Sequence, residues 1–203
     1  MKPAEPIIFV VDDDSALLRS LQRTLLSAGW SVQTYMSGDD FLESFDPDQP
    51  GCVVLDIRMP YLSGLTVQEA LNHRNARIPV IFMTAYGEVS TVVQAMKAGA
   101  MDFLEKPFTS QALLTCVEAA VRRDAQIRQE QLHRDQIEAR LSCLTPRERE
   151  VLGLVVDGYI NKEIADRLGI QQRTVEIHRQ QAMKKLGANS SVDLVRLVLG
   201  ART

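Results

Sequence analysis

Four short apolar runs in this chain each lead into polar residues, and that pattern narrows the possible folds more than any other feature. Ile7 to Val11 runs into Asp12 and Asp13, Cys52 to Leu55 into Asp56, and Val80 to Met83 into Thr84. Met101 to Leu104 is followed two residues later by Lys106. Short apolar runs separated by helical patterns read as strands of a parallel sheet buried on both faces. In an open sheet of that kind the ligand site lies beyond the carboxyl ends of the strands. One edge would then collect three carboxylates, a hydroxyl and an ammonium, a set suited to a metal and a phosphoryl group.

The intervening segments supply the helices. Leu17, Leu18, Leu21, Leu25 and Ala28 form one stripe of a helix that stops at Gly29. A second strand is expected near residues 31–35, a short helix near 38–45, and another from about Gly64 to Arg74. Pro79 opens the fourth strand. Val92, Val93 and Met96 are expected on the buried side of the next helix, which Gly99 ends. These β/α units predict an α/β domain with a doubly wound five-stranded parallel sheet and right-handed crossovers. From Thr109 to Thr145 there is no Gly or Pro. This stretch begins as an amphipathic helix (Leu113, Val117, Val121) and turns charged and Gln-rich. Asp124–Arg128 and Glu130–Arg134 form i,i+4 pairs with the acid first, as on a solvated helical spacer.

The remainder reads as an all-α four-helix domain. Thr145-Pro146-Arg147-Glu148 has the form of a capping box with Pro at the first helical position. Asn161 can cap a second helix, Gly169-Ile170 makes a tight turn, and a third helix runs from about Gln172 to Leu186. A fourth lies near residues 191–199. The expected division is residues 1–121, a helical linker over 122–142, and residues 143–203.

Charge separates along the same division. Residues 1–121 hold 8 Lys+Arg against 15 Asp+Glu, a net of −7, whereas residues 144–203 hold 10 against 7, a net of +3. An acidic half suits a divalent cation and a basic half suits a polyanion. A hydrophobic content of 45% is enough for packed cores. No apolar run approaches the roughly 20 residues of a membrane span, and the start has no signal-peptide pattern. A cytoplasmic protein without a membrane role is expected. Cys52, Cys116 and Cys143 are odd in number and far apart, which fits reduced thiols.

The residues at the strand ends are similar to those of the receiver domain of two-component response regulators, a flavodoxin-like fold. The resemblance rests on Asp12-Asp13-Asp14, on Leu55-Asp56-Ile57-Arg58-Met59-Pro60 with Ser63-Gly64, on Met83-Thr84-Ala85, and on Lys106-Pro107-Phe108. It implies that Asp56 accepts a phosphoryl group from a sensor histidine kinase, that Thr84 and Lys106 respond to it, and that Phe103 is an aromatic switch. It implies a Mg²⁺ (or Mn²⁺) ion held by Asp13, Asp56 and the Arg58 carbonyl, with Asp12 acting through water. The chemistry agrees: a carboxylate can form an aspartyl-phosphate, Mg²⁺ prefers oxygen ligands, and an ammonium is a point charge for phosphoryl oxygens. Crowded carboxylates also call for a cation. Asp14 fits a helix N-terminus. Arg58 and Tyr86 match variable positions thought to tune dephosphorylation, and Lys106–Pro107 resembles the family's cis peptide. Slow loss of the phosphoryl group is expected, in a switch rather than an enzyme.

The run from Thr84-Ala85-Tyr86-Gly87 through Ala95-Met96-Lys97-Ala98-Gly99-Ala100 resembles the FixJ-type subclass, which pairs a receiver with a LuxR-type helix-turn-helix. Leu144-Thr145-Pro146-Arg147-Glu148-Arg149-Glu150-Val151-Leu152, Asn161-Lys162-Glu163-Ile164-Ala165, Thr174-Val175-Glu176-Ile177-His178-Arg179 and Met183-Lys184-Lys185-Leu186 look like that domain. Gln171 departs from it, since a Ser or Thr cap is common there. The second helix of such a motif enters the major groove. Arg173, Glu176, Ile177, Gln180 and Lys184 form its outward stripe. Val175, His178, Ala182 and Leu186 form the inward one. Glu176, Ile177 and Gln180 are chemically able to read bases. Arg173, Arg179, Lys184 and Lys185 suit phosphates, with Thr174 and His178 also in the interface. The implied partners are double-stranded DNA carrying an inverted repeat, RNA polymerase, and a second copy after phosphorylation. A phosphatase of the haloacid dehalogenase type also uses an aspartyl-phosphate, but its D-x-D motif follows the first strand, whereas the nucleophile here follows the third. A phosphorylation-independent DNA binder would not need Asp12, Asp13, Asp56, Thr84 and Lys106 together.

Overall fold

The computed structural model describes the backbone of residues 4–84 and 89–200 and, within these, all side chains except those of residues 89–92, 191–192 and 198–200. The chain divides into two compact units, Met1–Arg128 and Gln129–Thr203. In the first, strands β1 (Ile7–Val11), β2 (Ser31–Tyr35), β3 (Gly51–Asp56), β4 (Val80–Thr84) and β5 (Asp102–Glu105) alternate with helices α1 (Ser15–Ser27), α2 (Gly38–Ser44), α3 (Gly64–His73), α4 (Val89–Lys97) and the part of α5 (Ser110–Ser142) up to Arg128. The strands pair in parallel in the order β2-β1-β3-β4-β5.

Side chains alternate across a strand with a period of two, and both faces of this sheet are covered. Phe9, Val11, Val53, Leu55 and Phe82 pack on one face with Phe41, Val67, Leu71 and Ala95. Ile8, Val10, Cys52, Val54, Ile81 and Met83 pack on the other with Leu18, Leu21, Leu25, Leu113, Val117 and Ala120. All six residues of β3 are buried, which explains its continuous apolar run.

Three expectations about facing change. Ala28 is exposed, because it caps the C-terminus of α1 one residue before Gly29 turns away with φ +87°. Val93 and Met96 are exposed, and among the described side chains of α4 Ala95 is the buried one. At about 100° per residue, Val93 and Met96 fall outside the strip centred on Ala95, whose small side chain meets the core. Val92 and Tyr86 lie outside the described residues. The third change concerns α5. Asp124 continues the buried stripe of Leu113, Val117 and Ala120 and is itself 2% exposed. It is therefore part of the first unit, not a charge on a solvated spacer.

The second unit holds α6 (Pro146–Val156), α7 (Asn161–Leu168), α8 (Gln172–Leu186) and α9 (Ser191–Gly200). Leu144, Val151, Leu152, Val155, Ile164, Ala165, Val175, Ala182, Leu186 and Leu194 form its core. The capping box is formed: Thr145 Oγ1 accepts from the Glu148 amide, and Glu148 Oε2 accepts from the Thr145 amide. Asn161 does not cap α7. Ile160 occupies the cap position, and its amide donates to Glu163 Oε2 at 3.0 Å. Asn161 Oδ1 instead accepts from Arg179.

Candidate functional site

The sheet delivers its polar residues to one edge. Asp56 closes β3 and Thr84 closes β4; Asp12 follows β1 directly and Lys106 follows β5. The register keeps these ends level, since Val11 pairs with Leu55, Asp56 with Met83 and Thr84 with Glu105. Asp12, Asp56 and Thr84 are 1%, 6% and 3% exposed. Lys106 reaches across the ends of β4 and β3, and its Nζ donates to Asp56 Oδ1 at 2.5 Å and to Asp12 Oδ2 at 2.8 Å. The remaining carboxylate oxygens are held by backbone: Asp56 Oδ2 accepts from the Arg58 amide at 2.9 Å, and Asp12 Oδ1 from the Asp14 amide at 2.8 Å. Asp14 itself caps α1, accepting from the Ala16 and Leu17 amides, and those bonds lower its pKa. Gly64 is required beside this site. A Cβ there would lie 2.2 Å from the Asp56 carbonyl oxygen.

The electrostatics follow from two buried acids sharing one ammonium. Burial raises the pKa of Asp56, Lys106 opposes that effect, and Asp12 adds to it. Burial also works against the Lys106 charge, but its bonds to Asp12 and Asp56 outweigh this and raise its pKa. The cluster thus brings two buried carboxylates to a single ammonium. Every available ligand atom is oxygen, so the donor set fits a hard divalent cation. Asp13 and Arg58 are exposed beside the buried pair. Among the described residues, no three His, Cys, Asp or Glu side chains converge as a preformed metal cage. Phe103, on edge strand β5, is 42% exposed. The Lys106–Pro107 bond is cis.

In the second unit, Gly169 turns the chain between α7 and α8 with φ +63°. Arg173, Glu176, Ile177, Gln180 and Lys184 are exposed on α8, Thr174, His178 and Arg179 are half-buried, and Val175, Ala182 and Leu186 face the core. His178 Nδ1 is buried without a hydrogen-bond partner. Gln171 stands at the α8 cap position and makes no side-chain cap. Lys185 is engaged elsewhere: its Nζ lies 2.7 Å and 3.0 Å from the two carboxylate oxygens of buried Glu148. That pairing, followed by the Thr145 amide bond, lowers the pKa of Glu148. Lys185 therefore ties the end of α8 to the start of α6.

The expected Asp124–Arg128 pair forms, with Arg128 Nε 2.9 Å from Asp124 Oδ2, but the contacts of both residues with residues 47–51 were not expected. The signal was present: 113, 117, 120 and 124 fall on one helical stripe, and a carboxylate at the end of an apolar stripe needs a partner.

These features agree with the comparisons. A family described as "Response regulator receiver domain" matches residues 8–118, and one described as "Bacterial regulatory proteins, luxR family" matches residues 142–198. Nodulation protein W of Bradyrhizobium diazoefficiens is 44% identical over 191 residues, covering 94% of this chain and 84% of that protein. Transcriptional regulatory protein FixJ of Azorhizobium caulinodans is 43% identical over 192 residues, covering 95% and 91%. The solved structure of response regulator StyR superposes with a TM-score of 0.85 at 46% identity, covering 97% of this chain and 99% of that one. Full-length FixJ from B. japonicum gives a TM-score of 0.60 at 38% identity, covering 98% of each. With a receiver sheet, a helix-turn-helix and relatives alike over nearly their whole length, the chain belongs to the two-component response regulators that carry a LuxR-type DNA-binding domain and regulate transcription.

Proposed function

We propose that this regulator is switched by phosphorylation of Asp56. The observation that carries the reading is the ion-paired pocket itself: a carboxylate at a strand end, buried, beside a second acid and under one ammonium. A sensor histidine kinase presents a phosphohistidine. An Asp56 oxygen attacks phosphorus, the P–N bond breaks, and the imidazole leaves with its electron pair. Lys106 already bonds the nucleophile, and in the product it pairs with phosphoryl oxygens. Thr84 donates its hydroxyl to the same group. Asp13, Asp56 and the Arg58 carbonyl would hold Mg²⁺, with Asp12 acting through water. When bound, the ion supplies the positive charge that the cluster lacks. Water slowly returns the acyl phosphate to a carboxylate, so the protein acts as a timed switch.

The phosphorylated form pairs through the α4–β5 face and places two α8 helices on an inverted repeat, where RNA polymerase is engaged. The protein works in the cytoplasm, with residues 1–121 as receiver, 122–142 as linker and 143–203 as DNA-binding domain. Acetyl phosphate with Mg²⁺ should add one phosphoryl group, seen as a single mass increment of the intact chain. Asp56→Asn should abolish it. An increment of equal yield in that variant would place the acceptor elsewhere.

A further inference from the structure

The base of β3 is held by an arrangement that the phosphorylation chemistry does not use. Asp124, 2% exposed on α5, accepts the Gly51 amide at 3.0 Å through Oδ2. The Arg128 Nε lies 3.0 Å and 2.9 Å from both oxygens of the same carboxylate. The rest of the guanidinium is committed to the loop before β3. Nη1 donates to the Asp48 carbonyl at 2.8 Å, and Nη2 donates to the Gln49 and Pro47 carbonyls at 2.7 Å and 3.3 Å. Three carbonyls and one buried carboxylate are satisfied by a single planar fork, which a lysine cannot reproduce, and the carboxylate in turn accepts the Gly51 amide. Glycine is required at position 51 by β1: φ is +148°, and a Cβ there would lie 1.8 Å from the Ile7 carbonyl oxygen.

The location matters as much as the geometry. Gly51 opens β3 and Asp56 ends it, so clamp and acceptor sit about 17 Å apart on one fully buried strand. Arg128 is also the last residue of the first compact unit, whereas α5 continues without interruption to Ser142. A helix that merely followed the receiver would not need three side-chain atoms, Asp124 Oδ2 and the two Arg128 Nη nitrogens, aimed at residues 47–51.

We propose that Asp124 and Arg128 are positioning residues for the phosphorylation output. They fasten residues 122–128 of the linker helix to the base of the acceptor strand, so that the helix leaves the receiver at one fixed point after Arg128. This rests on the phosphorylation switch at Asp56, and the test separates the two. The full chain is phosphorylated with acetyl phosphate and Mg²⁺. Its affinity is measured, with and without the phosphoryl group, on a duplex enriched from random-sequence DNA by the phosphorylated wild-type protein. No gain in the wild type would reject the switch itself. With a wild-type gain established, Arg128→Gln should be phosphorylated at the wild-type rate yet lose at least about fivefold of the gain, the lower end of ordinary coupling between sites. A folded Arg128→Gln that keeps the whole gain overturns the proposal. Should Arg128→Gln fail to fold, Arg128→Lys decides. It retains the charge opposite Asp124 without the fork; a reduced gain supports the clamp, and a full gain overturns it.

Discussion

Asp56, the proposed phosphoryl acceptor, is also a local source of instability. Its pKa is raised in the folded chain, chiefly by burial, so the folded state holds this proton more tightly than the unfolded state does. Stability then falls as pH rises through the unfolded value near 3.8 toward neutrality. Lys106 acts in the same direction at higher pH. Its raised pKa means that its contribution is complete below its ordinary value of 10.5 and is lost as pH climbs through the folded value. Asp56→Asn removes the first effect and leaves Asp12 to pair with Lys106. The variant should match the wild type near pH 4 and exceed it at pH 7 by about 1 kcal/mol, the ordinary scale of a single substitution. Urea midpoints across that range provide the measurement. A variant less stable than wild type at pH 7 would mean that the Lys106 bond outweighs the burial of the charge. Tyr61 is another strained residue of this edge. It has φ +66° and is fully exposed five residues after the acceptor, a conformation that sequence patterning gave no hint of because Asn or Gly is the usual occupant.

Helix α8 shows which features of an element a sequence carries. The stripe Val175, Ala182 and Leu186 was legible from spacing, because a core-facing stripe must recur at 3.6 residues. The partners of charged residues were not. Lys185 looked equivalent to Lys184, and both are exposed, yet Lys185 reaches a buried carboxylate on α6. That difference depends on how three helices pack, and no local pattern encodes it. The same limit hid Asp124, whose partner Gly51 lies 73 residues away. The strand ends were legible because topology alone brings Asp12, Asp56, Thr84 and Lys106 to one edge. Exposure on α8 supports a paired prediction. Gln180→Ala should weaken binding by about 1–3 kcal/mol at one base position and relax specificity there. Lys184→Ala should weaken every sequence alike and lower the salt slope by roughly one unit. Titrations on a panel of mutated sites at fixed salt distinguish them. Equal losses on all sites for Gln180→Ala would mark it as a backbone contact.

At the scale of the whole molecule, exposed Val93 and Met96 on α4 and Phe103 on β5 leave apolar surface beside the edge of the sheet. The expectation is a monomer that becomes a dimer when Asp56 is phosphorylated, by a shift between two states. Sedimentation velocity before and after acetyl phosphate treatment tests it. A dimer of unchanged affinity in both conditions would remove dimerisation from the switch. The strand order has one further consequence. β3 lies between β1, made earlier in the chain, and β4, made later, and the counter-charge for Asp56 arrives only with residue 106. During synthesis, chains emerge from the amino end and domains fold as units, and pairings distant in sequence close late. The Asp56 carboxylate therefore gains its full set of neighbours only when the receiver sheet is whole. A nascent or broken receiver presents an aspartate but no pocket, so readiness to take a signal doubles as a certificate that the unit was completed.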